Sequence, residues 1–240
     1  METIYTAVEW LALAVIAVLA RVGFALAVVL VAIAVLLPFV YAFEGGRRLL
    51  ARVRGIQELH GLEWRRTPFY SAAHLWLRER GNVVRLGLDA LGARLLSRVD
   101  QVALPVIGAQ VAKGAPIATF TAGGHRVSVP APIDGVVMSV NNRLNAQPEA
   151  VTERPYGVGW LVELLPADAV FRKLPRAAEA RQWFDGEAAR LALALDRAHG
   201  LAAADGGVPV VPHRALLSDE QFERLAAEFL QATVSPAQAG

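Results

Sequence analysis

The 240-residue chain has no cysteine, which excludes disulfides, iron–sulfur clusters and thiolate-bound metals. Histidine is sparse too. The five, at positions 60, 74, 125, 199 and 213, form neither an H-x-x-x-H nor an H-E-x-x-H pair, so no metal site is expected. Lysine is nearly missing: Lys113 and Lys173 are the only two among 24 basic residues, the rest being arginine. Any chemistry that needs a primary amine on a side chain is therefore confined to two positions.

Apolar residues are abundant. They make up 55% of the chain, and the mean hydropathy of +0.38 exceeds that of an ordinary water-soluble domain. The excess lies near the N-terminus, where Trp10 to Phe43 carries one charge, Arg21. Residues 22–43 supply the roughly 20 apolar residues that a helix needs to cross a bilayer core. We expect one transmembrane helix there, preceded by an apolar interfacial extension over 1–21. A helical hairpin turning near Arg21 and Gly23 is the alternative, but Trp10 to Ala20 is roughly half the length of a span. The start, Met-Glu-Thr-Ile-Tyr, lacks the basic region of a cleaved signal peptide. Arg47, Arg48, Arg52 and Arg54 follow the span whereas Glu2 and Glu9 precede it. The positive-inside rule then predicts a single-pass protein of the inner membrane with its C-terminal body in the cytoplasm.

Between Arg47 and Arg98 there are eleven arginines against Glu58, Glu63, Glu79 and Asp89. This collar reads either as a solvated topogenic flank or as an attraction to anionic headgroups or an acidic partner face. Nucleic acid is not expected as a partner, because no recognition motif accompanies the charge.

The body reads as α+β. Glu44 to His60 spaces Leu49, Leu50, Val53 and Ile56 or Leu59 as an amphipathic helix would, so 44–67 is expected to be a basic juxtamembrane helix and linker. Short β-type runs then alternate with Gly, Pro and Asn turns over 68–170: Leu75 to Arg78, Val83 to Leu88, Ser97 to Leu104, Pro116 to Thr121, His125 to Val129, Gly135 to Val140 and Gly159 to Leu164. A short helix capped by Asp89 interrupts them. Such spacing predicts a sandwich or flattened barrel. From 171 to 240 the pattern is helical, with a stripe over Arg176 to His199 and a capping box, Ser218-Asp-Glu-Gln221, opening a last helix through Leu230. The end from Ser235 to Gly240 has the composition of a disordered tail.

Several blocks in this body are specific. His74-Leu-Trp76 precedes Val84-Arg-Leu-Gly87-Leu-Asp-Ala-Leu-Gly92. Then come Val102-Ala-Leu-Pro105, Gly108-Ala-Gln-Val-Ala-Lys-Gly114, Ala131-Pro-Ile-Asp-Gly135, Asn141-Asn-Arg-Leu144 and Pro155-Tyr-Gly-Val-Gly-Trp-Leu161. In these blocks residues 68 to 170 resemble the H protein of the glycine cleavage system, with His74-Leu-Trp76 standing where that family has His-Glu-Trp. The resemblance implies a lipoyl-type β domain whose hairpin displays a lipoylated lysine. Counting back from Ala131-Pro132, that position falls on Gly124, and Thr121, Ala122 and Gly123 stand where the family usually has Glu-Ser-Val. A glycine has no amine to acylate, so the resemblance implies a fold without its cofactor. His125 and Arg126 are the chemical groups left at the tip, as partner contacts or as part of a solvated hairpin. The solvated hairpin is the expectation here.

No residue can be assigned to catalysis, and no cofactor is expected. The expected function is that of a non-enzymatic, membrane-anchored accessory subunit, touching lipid and other subunits of a respiratory or photosynthetic complex. Its candidate contacts are Arg47, Arg48, Arg52, Arg54, His125 and Arg126. The alternative is a membrane-associated carrier or chaperone in lipoate metabolism. An efflux adaptor also joins one span to lipoyl-like halves, but it needs a long helical hairpin where this chain has only Ala122 to Arg126.

Overall fold

The structure is a computed structural model that describes residue 21 and residues 29–36, 56–199 and 217–236. The chain divides into two compact units, Met1–Arg54 and Gly55–Gly240. In the first unit the described residues are helical and exposed. Residues 29–36 read Val-Leu-Val-Ala-Ile-Ala-Val-Leu, apolar on every side of the helix, with Leu30 65% and Val35 65% exposed. No described helix is long and apolar enough to cross a membrane. The rest of the expected span, the extension before Arg21, and Arg47, Arg48, Arg52 and Arg54 lie outside the described residues.

The second unit opens with a hairpin, β1 (Ile56–Leu59) and β2 (Leu62–Arg65), in place of the end of the expected amphipathic helix. Ile56 and Leu59 fit helical spacing, but His60 and Gly61 take φ of 51° and 73°, the left-handed pair of a two-residue hairpin turn. Leu62 and Trp64 then point inward while Glu63 and Arg65 face outward.

Two antiparallel sheets follow. The first runs in the order β3 (Phe69–Tyr70), β4 (Leu75–Arg80), β5 (Val83–Leu88), β11 (Val162–Pro166), β10 (Gly135–Val140), β7 (Gln110–Val111). The second has the order β12 (Thr233–Pro236), β9 (His125–Pro130), β8 (Pro116–Ala122), β6 (Gln101–Ala103). Leu86, Val137 and Leu164 of the first sheet and Phe120, Val127 and Val129 of the second belong to one buried cluster, as in a sandwich.

Helix α1 (Ala90–Leu96) is capped by Asp89 as expected, and the other helices are α2 (Ala150–Glu153), α3 (Ala177–His199) and α4 (Asp219–Leu230). Among the departures from the expected bounds, three have a local cause. Ser97 ends α1 at a φ of 62°, so β6 is shorter than the expected Ser97 to Leu104. Gly159 is held in a loop so tight that a Cβ would lie 2.1 Å from the Ala150 carbonyl oxygen, and β11 starts only at Val162. Ser235 and Pro236, read as tail, form the end of β12 because the open edge of β9 supplies backbone partners for them.

Candidate functional site: the β8–β9 hairpin and its C-terminal clamp

Strands β8 and β9 pair in the register Thr121↔Arg126 and Ala122↔His125, which leaves Gly123 and Gly124 as the whole turn. Their φ values of 55° and 80° make it a two-residue turn of the kind that glycine favours. Gly124 is exposed, and a Cβ built on it meets nothing within 4 Å. The two lysines are elsewhere. Lys113 is exposed on the turn between β7 and β8, where its backbone N–H donates to Asp134 Oδ1 at 2.8 Å. Lys173 is exposed at the end of a single 3₁₀ turn, Val170–Lys173.

The solvated hairpin expected for His125 is not what is found. His125 is 6% exposed and clamped by α4: Nε2 lies 3.1 Å from Asp219 Oδ1, Nδ1 lies 3.1 Å from Glu223 Oε1, and the ring sits 5.4 Å from that of Phe222. Strand β12 then runs antiparallel along β9, pairing Ser235 with Arg126 and Pro236 with His125. Arg126 stays exposed. Local sequence explains the clamp. The capping box is complete, with Ser218 Oγ accepting from Gln221 N at 3.2 Å and Gln221 Oε1 accepting from Ser218 N at 2.8 Å. It starts α4 so that Asp219 and Glu223, one turn apart, share the face turned to His125. That i, i+4 carboxylate pair was a readable signal, but nothing in sequence spacing tied it to a histidine 94 positions earlier.

A second cluster pins the C-terminal helices to the body. His74, at a φ of 54°, is fully buried, with Nδ1 2.9 Å from Asp89 Oδ2. The other oxygen of Asp89 caps α1, accepting from Leu91 N at 3.0 Å and Gly92 N at 2.9 Å. His74 Nε2 faces Glu187 Oε2 of α3 at 3.8 Å, and its ring stacks on Trp183 at 5.1 Å and lies 6.4 Å from Phe229 of α4. Burial alone would lower the His74 pKa, but the Asp89 and Glu187 carboxylates outweigh it and raise it to about 9. The imidazolium beside Glu187 in turn holds that carboxyl below its usual range. With His74 and Asp89 both closed to solvent, the cluster holds helices together and has no opening for a substrate.

The glycine cleavage H-protein family model matches residues 69–185. The glycine cleavage system H protein of Anoxybacillus flavithermus is 36% identical over 99 residues, which cover 41% of this chain and 78% of that protein. The chain belongs to the glycine cleavage H-protein family. The H protein of Mycobacterium avium is 35% identical over 101 residues (42% of this chain, 76% of that protein), and that of Thermus thermophilus 34% over 100 (42% and 78%). A crystal structure of an H protein from Mycobacterium marinum superposes with a TM-score of 0.45 at 22% identity, covering 52% of this chain and 98% of that one.

The H-protein blocks of the sequence do structural work. The Trp76 indole packs flat on Gly87, where a Cβ would lie 2.6 Å from the ring, and its Nε1–H donates to Pro155 O at 3.1 Å. Tyr156 Oη accepts from Ala90 N at 3.3 Å, and Asn141 Nδ2 donates to Val158 O and Trp160 O at 2.7 Å each. The H-protein match ends at residue 185, so α4 and β12, which clamp the hairpin, come from outside it.

Proposed function

We propose that this H-protein family member is a non-enzymatic, membrane-anchored accessory subunit whose domain docks other proteins and carries no lipoyl group. The observation that carries the reading is the hairpin. Its turn is Gly123-Gly124, the position corresponding to the family's modified lysine has no amine, and the strand beyond it is clamped by α4 and β12. A swinging arm needs both an amine and a free tip. The amine is missing at that position, and although the glycine turn is exposed, α4 and β12 hold the β9 side of the hairpin. A fold kept without its reactive group is consistent with function residing in grafted sites and not in the fold itself.

The membrane part of the proposal is supported by the apolar stretch at 22–43 and by the described helical residues 29–36, which expose apolar side chains all round. A helix of that kind is stable only when lipid or protein surrounds it. The host complex is proposed to be respiratory or photosynthetic, with the body on the cytoplasmic side of the inner membrane. Arg47, Arg48, Arg52 and Arg54 are the proposed lipid contacts.

Intact-mass measurement of the chain from its native membranes tests the reading. The unmodified mass is expected, with co-migration alongside other subunits in mild detergent. A lipoyl-sized adduct on Lys113 or Lys173 would establish a carrier and overturn the proposal. A free monomer in detergent would count against the accessory role.

A further inference from the structure

The outer face of the first sheet gathers four arginines, of which only two have an acidic partner among the described residues. Strands β4 and β5 place Arg78 directly opposite Arg85, a like-charge pair that weakens a sheet. Arg65 of β2 and Arg80 of β4 lie close enough, together with Arg85, to lower the Arg78 pKa after the effect of its burial. Two of the four are compensated. Arg65 Nε pairs with Glu63 at 2.6 Å, and Arg85 NH2 pairs with Glu163 at 2.7 Å. Arg78 is half-buried, and its Nε is enclosed without a hydrogen-bond partner among the described residues. The enclosed Nε is out of a partner's reach, so whatever binds here meets the part of the half-buried side chain that stays exposed.

Three of these guanidinium groups are also held in place by aromatic rings. Arg65 lies 5.1 Å from the centroid of Tyr156, Arg78 5.6 Å from that of Trp76, and Arg85 4.4 Å from that of Trp160. Stacking restricts their rotamers before any ligand arrives, so less entropy is lost on binding. Arginine beside tryptophan and tyrosine is also the composition of protein-binding hot spots. We propose that this face, centred on Arg78 and Arg80, two residues apart on β4, binds an acidic segment of a partner protein through its Asp or Glu side chains. A planar guanidinium takes a carboxylate through two parallel hydrogen bonds. The aromatic residues beside these arginines favour a protein partner over a bilayer surface. The inference supplies partner chemistry for the accessory-subunit reading and rests on that reading only for the existence of a partner.

The test uses the full chain reconstituted in phosphatidylcholine vesicles, with a dye-labelled peptide of alternating Asp and Glu followed by fluorescence anisotropy. Arg78→Glu/Arg80→Glu is expected to weaken binding by about tenfold or more, and added salt to weaken it further. Arg98→Glu, at an exposed arginine paired with Asp100 at 3.1 Å, is expected to leave binding within about twofold. Arg78→Gln guards against misfolding: it removes the like-charge repulsion, so the melting temperature is expected to hold or rise while binding falls. A melting temperature lowered by more than about 5 °C would make Arg78 a structural residue and overturn the inference. So would equal peptide binding by the charge-reversed chain, or loss of binding when phosphatidylserine is added to the vesicles, which would assign the face to lipid. Failure here with an unmodified intact mass rejects the arginine face alone. A lipoyl adduct with peptide binding intact rejects the docking-module reading alone.

Discussion

Gly124 combines a positive φ with open space, and the two properties predict opposite effects of a side chain. Open space means that Gly124→Lys creates no clash, whereas the φ of 80° charges any L-residue with a side chain for left-handed backbone. The substitution is therefore expected to fold and to lose about 1 kcal/mol in urea unfolding. His74 gives a second prediction at this scale. Its pKa rises from 6.5 to about 9 on folding, so protonation favours the folded state, fully below pH 6.5. That contribution fades as pH climbs through 9. Glu187 works in the opposite sense, because its pKa falls on folding: its share is present above the ordinary carboxylate range and is lost as acid passes below its folded value. Thermal melts across pH should thus show a decline between about pH 6.5 and 9 that His74→Gln removes. The same variant leaves the Asp89 carboxylate buried without its cation, at a cost of about 3 kcal/mol.

At the scale of elements, α4 and β12 are what distinguish this hairpin from a displayed one. Ser218→Ala removes the cap of α4 and is expected to cost about 1 kcal/mol in urea unfolding. Deleting residues 233–240 removes β12 and leaves α4, so global stability should change little while amide exchange along β9 rises about tenfold, as at a newly opened sheet edge. Both helices were legible in sequence because their signals are local: the capping box at Ser218 and Asp89 before α1 stand beside the backbone they satisfy. Strands β5 and β10 were legible to the residue because a turn signal bounds each. Strand β12 was not, since Ser235-Pro236 carries no β propensity and pairs only because β9, more than a hundred residues earlier, offers it an edge. The burial of His125 was hidden for the same reason. A two-residue glycine turn implies a solvated hairpin until the elements that cover the neighbouring strand are known; here the turn stays exposed while His125 beside it is buried.

At the scale of the whole molecule, the second unit encloses a buried core of its own, one cluster running from Leu62 to Ala232. The second unit should therefore fold by itself. Residues 55–240 are expected to melt within about 2 °C of the full chain, because a unit with its own contiguous core folds as a domain. The membrane proposal makes the deletion informative in a second way. An eight-residue helical stretch with apolar side chains on every side has no polar face to leave in water, so lipid or a partner must cover it. The full chain is then expected in the membrane fraction and to resist extraction by alkaline carbonate, whereas 55–240 is released. An arginine face bound to anionic headgroups would hold 55–240 to membranes in low salt and release it in high salt. If the full chain itself washes off in carbonate, the apolar stretch is covered by protein and not by lipid, and the anchor becomes an intersubunit helix.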